Sequence, residues 1–299
     1  MDSQWKERFN WSISRSRQWG WCRKGLFFKC IRKYDKDLFA KKLDRLSSLQ
    51  SIRFLGGKAV HNTIFEQIQQ HELGRPSSLD SALVSTSSYI DDNLKFGKDL
   101  IVEIQNGMKI DKATIQDMHT HTSVCVRNFC ERHAPNLVAV DYLEHEQYRD
   151  YLMDGVLVKL RPDFVSRSGS IVTATDWKTG KATSLERIPQ VPVLAEYTSK
   201  HYACDLAKIR VEIVFLNPYS VLTSNCSESL IDEMHCRIRG EMDEILSCKS
   251  EDDFVANPGH HCLSCNFATV CEEGSEVIKG SPKIFSIGET ADSTGDSED

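Results

Sequence analysis

The order of helix-like and strand-like segments predicts an α/β fold whose amino-terminal part is mostly helical. Apolar residues recur at helical spacing up to Arg132. Strand-like runs follow at residues 137–143, 151–159 and 171–175, and the alternating run Ile209–Leu216 comes after one further helical segment. A block of strands between helices is typical of a sheet covered by helices, and no linker rich in proline and glycine divides the chain. We therefore expect one compact domain with additions.

The helices are delimited by apolar spacing and by residues that break regular structure. Gly56 and Gly57 are expected to break the chain, and His61 lies one turn into the helix that follows them. Residues 74–90 are rich in serine and are expected to form a loop or a short helix. The other helices are predicted at residues 12–34, 36–49, 110–132, 184–204 and 227–246.

Charge is distributed unevenly along the chain. The whole chain has a net charge of −6, whereas residues 1–60 hold 15 lysines and arginines against 5 acids. A nucleic acid would therefore meet the amino-terminal part, although a solvated helix face accounts for the same basic residues. Residues 289–299 are acidic and poor in apolar side chains, which is typical of a disordered tail.

Composition also bears on the compartment. The sequence has no run of about 18 apolar residues, so we expect no transmembrane helix. Its first residues lack the apolar core of a secretion signal. The eleven cysteines are an odd number and are expected to be reduced. We therefore expect an intracellular protein, with the cytoplasm, the nucleus and organelles all left open.

Two acids and a lysine end neighbouring strand-like runs. Asp163 follows the first run, a turn around Gly169 comes next, and Asp176 and Lys178 end the second run. Lys178 stands two residues after Asp176 and therefore points to the same side of a strand. Converging carboxylates can hold a hard divalent cation that polarises a water beside a phosphodiester. The alternative for these residues is a salt-bridged hairpin without a chemical role.

Other polar residues could complete such a site. His61, on its helix, could be a third metal ligand, and the alternative is a structural histidine. Gln190 begins a helical segment and could bind the water, the lysine or the phosphate. Glu144 or Glu146, on the strand before the hairpin, could supply a further acid.

These residues occur in the order of a known nuclease family. The segments Gly-Lys-Ala-Val-His, Arg-Pro-Asp, Asp-Trp-Lys-Thr-Gly-Lys and Gln-Val-Pro-Val-Leu-Ala together resemble the RecB-type branch of the PD-(D/E)xK nuclease superfamily, over residues 12–271. The resemblance implies a restriction-endonuclease-like fold, in which helices flank a central mixed β-sheet.

The resemblance also implies roles for individual residues. Mg²⁺ or Mn²⁺ would be bound by His61, Asp163, Asp176 and the carbonyl of Trp177. The catalytic residues would be Asp163, Asp176, Lys178 and the motif glutamine Gln190. One position departs from the family, which often has tyrosine four residues after this glutamine. Leu194 stands there, and Tyr197, one helical turn further on, could substitute.

Three cysteines near the carboxyl end have the spacing of metal ligands, Cys262, Cys265 and Cys271. The setting of Cys22, followed by Arg-Lys-Gly-Leu-Phe-Phe, resembles iron–sulfur nucleases of the RecB type, although Arg23 replaces the family proline. That group includes CRISPR-associated RecB-like and AddB-type nuclease domains. The resemblance implies that the four cysteines hold a 4Fe–4S cluster.

Other interpretations of the cysteines remain open. A Zn²⁺ site could be completed by His260 or His261, because zinc and iron–sulfur centres accept the same thiolates. Cys30 is an alternative fourth ligand. The thiols could also be unligated.

Contacts with nucleic acid are expected from basic side chains near these motifs. Trp19 and Trp21 could stack on bases or pack in the core. No motif for reading a base sequence is evident, so we expect recognition of DNA ends or single strands. Phosphate contacts are predicted for Arg15, Arg17, Arg23, Lys24 and Lys181.

The sequence as a whole predicts a Mg²⁺- or Mn²⁺-dependent DNA exonuclease that acts on single-stranded DNA or DNA ends. Its partners would be DNA and proteins of a repair, recombination or CRISPR-type complex, and processing of viral DNA is a further process left open. The alternatives are a non-catalytic nucleic-acid-binding relative and a zinc-stabilised interaction module. The predicted parts are a helical segment 1–135, a nuclease core 136–250, a cysteine segment 251–275 and an acidic tail 276–299.

Overall fold

The computed structural model describes residues 4–75, 78–97, 100–181, 189–281 and 283–285. The helices are α1 (Trp5–Arg8), α2 (Ile13–Trp21), α3 (Arg23–Cys30), α4 (Leu38–Ser47), α5 (Ile52–Glu72), α6 (Leu79–Phe96), α7 (Val102–Gln105), α8 (Lys112–Asn128), α9 (Gln190–His201), α10 (Glu228–Ser247) and α11 (Glu272–Gly280). The strands are β1 (Lys109–Ile110), β2 (Asp141–His145), β3 (Arg149–Met153), β4 (Val156–Leu160), β5 (Phe164–Ser168), β6 (Ile171–Lys178), β7 (Ile209–Leu216), β8 (Tyr219–Ser224) and β9 (Ile284–Phe285).

The described residues form two compact units. The cysteine unit consists of the described parts of Met1–Arg53, Asn93–Ile115 and Ile238–Thr290. The sheet unit consists of the described parts of Phe54–Asp92 and Gln116–Arg237. The predicted acidic tail lies largely outside the described residues. None of the described helices combines the length and apolar character that crossing a membrane requires.

The sheet unit is built on five strands in the order β2-β5-β6-β7-β8. Strands β6 and β7 run parallel, with Asp176 opposite Ile213, and the other neighbouring pairs are antiparallel. Helix α9 packs against β6 and β7. The predicted α/β class, with helices flanking a mixed sheet, is confirmed.

A buried apolar cluster fixes the face of β6 that carries Trp177. The indole stacks on Phe164 of β5, with ring centroids 5.8 Å apart, and meets Phe129 edge-on. Ile64 of α5 and Val126 of α8 belong to the same cluster. Because side chains alternate along a strand, this packing turns Asp176 and Lys178 to the other face of β6.

The hairpin at the centre of the sheet differs from the predicted one. Residues 151–159 are not a single strand, because Asp154 and Gly155 turn the chain between β3 and β4. Both have a positive φ, 47° and 84°, which a two-residue hairpin turn of this type requires. The partner of β6 across the Gly169 turn is therefore β5, and Asp163 lies immediately before it.

The predicted break at Gly56 and Gly57 is wrong, since α5 continues through both residues. A Cβ atom on Gly56 would lie 3.1 Å from Met118 and 3.2 Å from Thr122, both on α8. The glycine therefore permits close packing of a helix and does not end one. Residues 74–90 also differ from the prediction, because α6 occupies most of them as a full helix.

The predicted helix over residues 12–34 is interrupted at Cys22. Helix α2 ends at Trp21, Cys22 is extended with φ −161° and ψ 106°, and α3 begins at Arg23. The predicted helix over 110–132 is α8, which ends at Asn128 and continues as a π-helical turn, Phe129–His133. The predicted strand Ile209–Leu216 is confirmed as β7.

Aromatic side chains and the acids that accept their N–H groups organise part of the cysteine unit. Trp19 is buried, meets Phe254 edge-on and donates its indole N–H to Glu244 at 3.3 Å. Trp11 likewise donates to Glu241 at 2.8 Å. Core packing therefore accounts for Trp19, whereas Trp21 is 44% exposed.

Candidate active site

His61 is presented by the middle of α5 and is buried in the sheet unit. Its Nε2 lies 3.1 Å from the carbonyl oxygen of Trp177 on β6. Its Nδ1 lies 3.3 Å from Glu146 Oε1 and 3.5 Å from Asp163 Oδ1. One imidazole therefore touches a backbone oxygen and two carboxylates.

Asp163 is held by the backbone of the neighbouring strand. Its Oδ2 accepts the N–H of Trp177 at 2.7 Å, and its side chain is buried. Because this bond fixes one oxygen, the other oxygen, Oδ1, is directed to the imidazole of His61. This hydrogen bond thus joins Asp163 to Trp177, the residue between Asp176 and Lys178 on β6.

Asp176 and Lys178 lie on one side of β6, as their spacing predicts. The Nζ atom of Lys178 is 2.8 Å from Oδ2 of Asp176, and only 7% of Lys178 is exposed. A buried ammonium close to a carboxylate is positioned far more narrowly than a lysine on the surface.

Among the described residues, one group of three or more His, Cys, Asp or Glu ligand atoms lies within 4.8 Å of one another: His61, Glu146 and Asp163. Asp176 is outside this group. Of the two glutamates considered as a further acid, Glu146 belongs to the site. Glu144 is buried elsewhere and accepts hydrogen bonds from the hydroxyls of Tyr197 and Tyr202, both at 2.8 Å.

The charges at the site are strongly coupled. Burial is the largest influence on the pKa of His61 and lowers it, but Asp163 and Glu146 outweigh burial and raise that pKa well above its usual value. Burial likewise raises the pKa of Asp163, but His61, Lys178 and the Trp177 N–H together hold it below its usual value. The two carboxylates thus stabilise a positive charge at this point.

This donor set fits a hard divalent cation. A nitrogen, a carboxylate and a backbone carbonyl are ligands that Mg²⁺ and Mn²⁺ accept. His61, Asp163 and the carbonyl of Trp177 are the predicted ligands that the structure brings together. The carboxylate of Glu146 lies beside them, 3.3 Å from the imidazole of His61, and no local sequence signal distinguishes Glu146 from Glu144.

The predicted glutamine helix begins at Gln190, which is half-buried as the first residue of α9. Leu194 is buried on this helix. The hydroxyl of Tyr197, the proposed substitute for the family tyrosine, donates to Glu144. Lys181 is exposed at the end of the segment that follows β6, and residues 182–188 lie outside the described part of the chain.

The cysteine unit brings the four predicted cysteines close to one another. Cys22, at the junction of α2 and α3, is near enough to Cys265 and Cys271 for its charge to contribute to their raised thiol pKa values. Burial is the main cause and raises the pKa to about 12 at Cys265 and about 11 at Cys271. The side-chain amide of Asn106 donates to the carbonyls of Leu263 and Cys265, which fixes the loop between the paired cysteines.

The alternatives for a fourth ligand differ in their surroundings. His261 forms hydrogen bonds with Cys22 and Cys262, which raise its pKa to about 10. The thiol pKa of Cys30 is raised by burial, and the charges that counter it are those of Arg15, Lys29 and Lys33. The structure thus places Cys22 and His261 beside the carboxyl-terminal cysteines.

Several predicted phosphate contacts have partners inside the cysteine unit. The guanidinium of Arg15 donates to the carbonyl of Asn10 at 2.7 Å. Arg23 lies 3.2 Å from Glu244 and covers the ring of Trp19. Lys24 lies 2.8 Å from Glu251. Their contacts with DNA stay a prediction, as does that of Arg17.

A mixed sheet flanked by helices with such a donor set is compatible with a nuclease, and a family comparison identifies the class. The model of the PD-(D/E)XK nuclease superfamily matches residues 10–272. Because the match covers most of the sequence, the chain belongs to the PD-(D/E)XK nuclease superfamily. Membership implies nuclease activity and DNA binding, and these nucleases usually use divalent metal ions.

The chain is similar to a solved structure described as "Crystal structure of SSO0001", with 12% sequence identity and a TM-score of 0.29. That similarity covers 73% of this chain and 94% of the other chain. No match was found among curated proteins.

Proposed function

We propose that this protein is a Mg²⁺- or Mn²⁺-dependent deoxyribonuclease that degrades single-stranded DNA or DNA from its ends. The observation that carries the proposal is the convergence of His61, Asp163 and the Trp177 carbonyl, with Lys178 on the same strand as that carbonyl. Exonuclease action is the finer part of the proposal and follows from the resemblance to the RecB-type branch.

The metal ion would be held by His61, Asp163 and the Trp177 carbonyl. Asp176, which directly precedes Trp177 on β6, is the further acidic ligand that the sequence predicts. A bound Mg²⁺ or Mn²⁺ supplies Lewis acidity, which polarises the phosphoryl group and lowers the pKa of a bound water. The protein's contribution is to hold its donors in place before substrate arrives, because Asp163 is already bonded to the backbone of β6.

Lys178 has the geometry of a residue that acts on the phosphate or on the attacking water. Its ammonium is 2.8 Å from Asp176 and largely shielded from solvent. At that depth a positive charge stabilises the negative charge that develops on phosphoryl oxygens more than it would in water. Gln190, at the start of α9, is proposed to bind the water or the phosphate.

We also propose a 4Fe–4S cluster held by Cys22, Cys262, Cys265 and Cys271. The mutual proximity of the four cysteines supports a shared metal centre.

The nuclease proposal is tested with end-labelled single-stranded and double-stranded DNA, with Mg²⁺, Mn²⁺ or a chelator. Asp176→Asn and Lys178→Ala should each lower kcat by about a hundredfold or more, because each removes a charge from the reacting centre. The matched controls are Asp150→Asn and Lys159→Ala, an exposed acid and an exposed lysine that face each other across the β3–β4 hairpin.

The controls should retain full activity. Degradation that is unaffected by the chelator, or that persists in both Asp176→Asn and Lys178→Ala, would contradict the proposal. Substrates blocked at the 5′ end, at the 3′ end or at both ends determine the polarity, and rapid cleavage of a doubly blocked strand would contradict exonuclease action.

The cluster proposal is tested on protein purified without oxygen. We expect about four iron and four sulfide per chain and a broad absorption near 400 nm, as the cofactor's composition and colour require. One zinc per chain with no colour would overturn the cluster and leave the nuclease proposal intact, because the two centres use different residues.

A further inference from the structure

We propose that Glu146 is a positioning residue that fixes the imidazole of His61, and that Arg161 in turn fixes Glu146. This inference rests on the proposed metal-dependent nuclease site. The sequence pattern offers Glu146 only as one of two candidates for a further acid and gives Arg161 no role, and the family resemblance assigns neither residue.

The backbone of Glu146 is held in an unusual conformation beside Asp163. Glu146 follows β2 with a φ of 50°, in the left-handed region, where a non-glycine residue costs on the order of 1 kcal/mol. Its N–H donates to the carbonyls of Pro162 at 3.0 Å and Asp163 at 3.2 Å. These bonds tie Glu146 to the segment that presents Asp163.

The carboxylate of Glu146 occupies one nitrogen of His61. Its Oε1 lies 3.3 Å from Nδ1, while Nε2 faces the Trp177 carbonyl at 3.1 Å. A metal-binding histidine usually donates its other ring N–H to a carboxylate, which fixes the tautomer and the ring orientation. With Nδ1–H donated to Glu146, Nε2 is the nitrogen left for a cation beside the Trp177 carbonyl.

Arg161 explains why Glu146 positions and does not itself bind the metal. The Nε atom of Arg161 lies 3.2 Å from Glu146 Oε2, and its guanidinium covers the ring of Tyr148 at 5.3 Å. Both oxygens of Glu146 therefore have a cationic or N–H neighbour within the protein. The positive charge of an arginine so close to Oε2 opposes a metal ion at that oxygen and attracts the carboxylate.

The test measures Mn²⁺ binding directly, with no DNA present. Calorimetry gives the dissociation constant, and pulsed electron paramagnetic resonance of bound Mn²⁺ detects a directly bonded imidazole nitrogen. Glu146→Ala should weaken Mn²⁺ binding by about 10- to 100-fold and abolish the nitrogen signal. Glu146→Gln should fall between Ala and the unaltered protein, because its amide oxygen can still accept the Nδ1–H.

Arg161→Gln is a second variant that leaves Glu146 in place, and a smaller loss of affinity is expected for it. Glu72→Gln is the matched control, since Glu72 pairs with the exposed edge of His145 at 3.2 Å and has no part in the site. It should bind Mn²⁺ as the unaltered protein does.

Two results would overturn the inference alone. One is Glu146→Ala binding Mn²⁺ with unchanged affinity. The other is a weakened affinity with a full nitrogen signal at saturating Mn²⁺, because Glu146 would then be a ligand itself. If the unaltered protein binds no Mn²⁺, the proposed function fails together with the inference.

Discussion

His121 on α8 links Thr179, which directly follows Lys178, to Asn217 at the end of β7. Its Nε2–H donates to the carbonyl of Thr179 at 2.8 Å, and its Nδ1 accepts from the side-chain amide of Asn217 at 3.0 Å. These two bonds require the neutral imidazole with its proton on Nε2. Thr179 directly follows Lys178, so α8 holds the backbone at the point where β6 leaves the sheet.

We therefore predict that His121→Phe lowers kcat by about tenfold or more. The phenyl ring keeps the planar shape but leaves the Thr179 carbonyl without its donor, and small displacements of a reacting group are costly. Single-turnover degradation of labelled DNA measures the effect. His119→Gln, on the same helix but paired with Asp91 at the surface, is the control. Equal rates for the two variants would show that the bond to Thr179 does not position Lys178.

Two adjacent glycines in α5 should respond oppositely to alanine. A Cβ atom at Gly57 would lie 3.6 Å from Thr179 Oγ1, an ordinary contact, whereas Gly56 faces Met118 and Thr122 at 3.1 and 3.2 Å. Gly57→Ala should raise the free energy of unfolding by about 0.5–1 kcal/mol through helix propensity. Gly56→Ala should lower it by about 1–2 kcal/mol through overpacking.

Urea denaturation followed by circular dichroism measures both glycine variants. A free energy of unfolding that rises for Gly56→Ala as well as for Gly57→Ala would mean that α5 and α8 are not closely packed at Gly56.

The sequence carried part of this information and lacked the rest. The pattern of Ile209–Leu216 predicts β7 correctly, because its first half alternates as in a half-buried strand and its second half is apolar as in a strand buried on both faces. The Asp154-Gly155 pair is a strong local signal for a hairpin and was sufficient to divide residues 151–159 into two strands. The prediction of one strand was wrong because it rested on the apolar run alone and left out the turn at Asp154 and Gly155.

The Gly56-Gly57 error has a different cause. Glycine lowers helix propensity, and only the tertiary contact with Met118 and Thr122 explains why a helix keeps it.

The candidate site shows the same division. The spacing of Asp176 and Lys178 places them on one side of a strand, and this follows from strand geometry alone. The recruitment of Glu146 depends on its positive φ and on bonds to Pro162 and Asp163, which are contacts between segments. Sequence spacing contains no information about such contacts, so Glu144 and Glu146 could not be separated beforehand.

Acid should destabilise the sheet unit through His133. This residue is buried, neither ring nitrogen has a hydrogen-bond partner, and burial lowers its pKa to about 4. Between the ordinary histidine pKa of about 6.5 and about 4, the unfolded chain binds a proton that the folded chain does not. Stability is therefore lost as the pH falls through this range, by about 3 kcal/mol in total.

His133→Phe removes this titration and keeps an aromatic ring in the core. The difference in unfolding free energy between the variant and the unaltered protein should shift in favour of the variant by about 3 kcal/mol between pH 7.5 and pH 4. Denaturation curves at five pH values measure that difference. Parallel pH profiles would show that His133 is protonated in the folded protein.

The four-cysteine centre should stabilise the fold and take no part in the reaction. Metal binding by thiolates is coupled to folding, because the ligands are brought together only in the folded state. Cys265→Ser should therefore lower the free energy of unfolding by at least about 3 kcal/mol and reduce the bound metal. The matched control is Cys236→Ser on α10, an exposed cysteine outside the proposed ligand set.

The decisive comparison is between stability and the rate of chemistry in the same preparations. At a temperature where Cys265→Ser is still folded, its kcat on labelled DNA should stay close to that of the unaltered protein, although its free energy of unfolding is lower. The reason is that His61, Asp163 and Lys178 belong to the sheet unit. Thermal denaturation and single-turnover kinetics give the two quantities. A loss of kcat as large as that of Lys178→Ala, at unchanged stability, would assign the centre to catalysis and contradict its structural role.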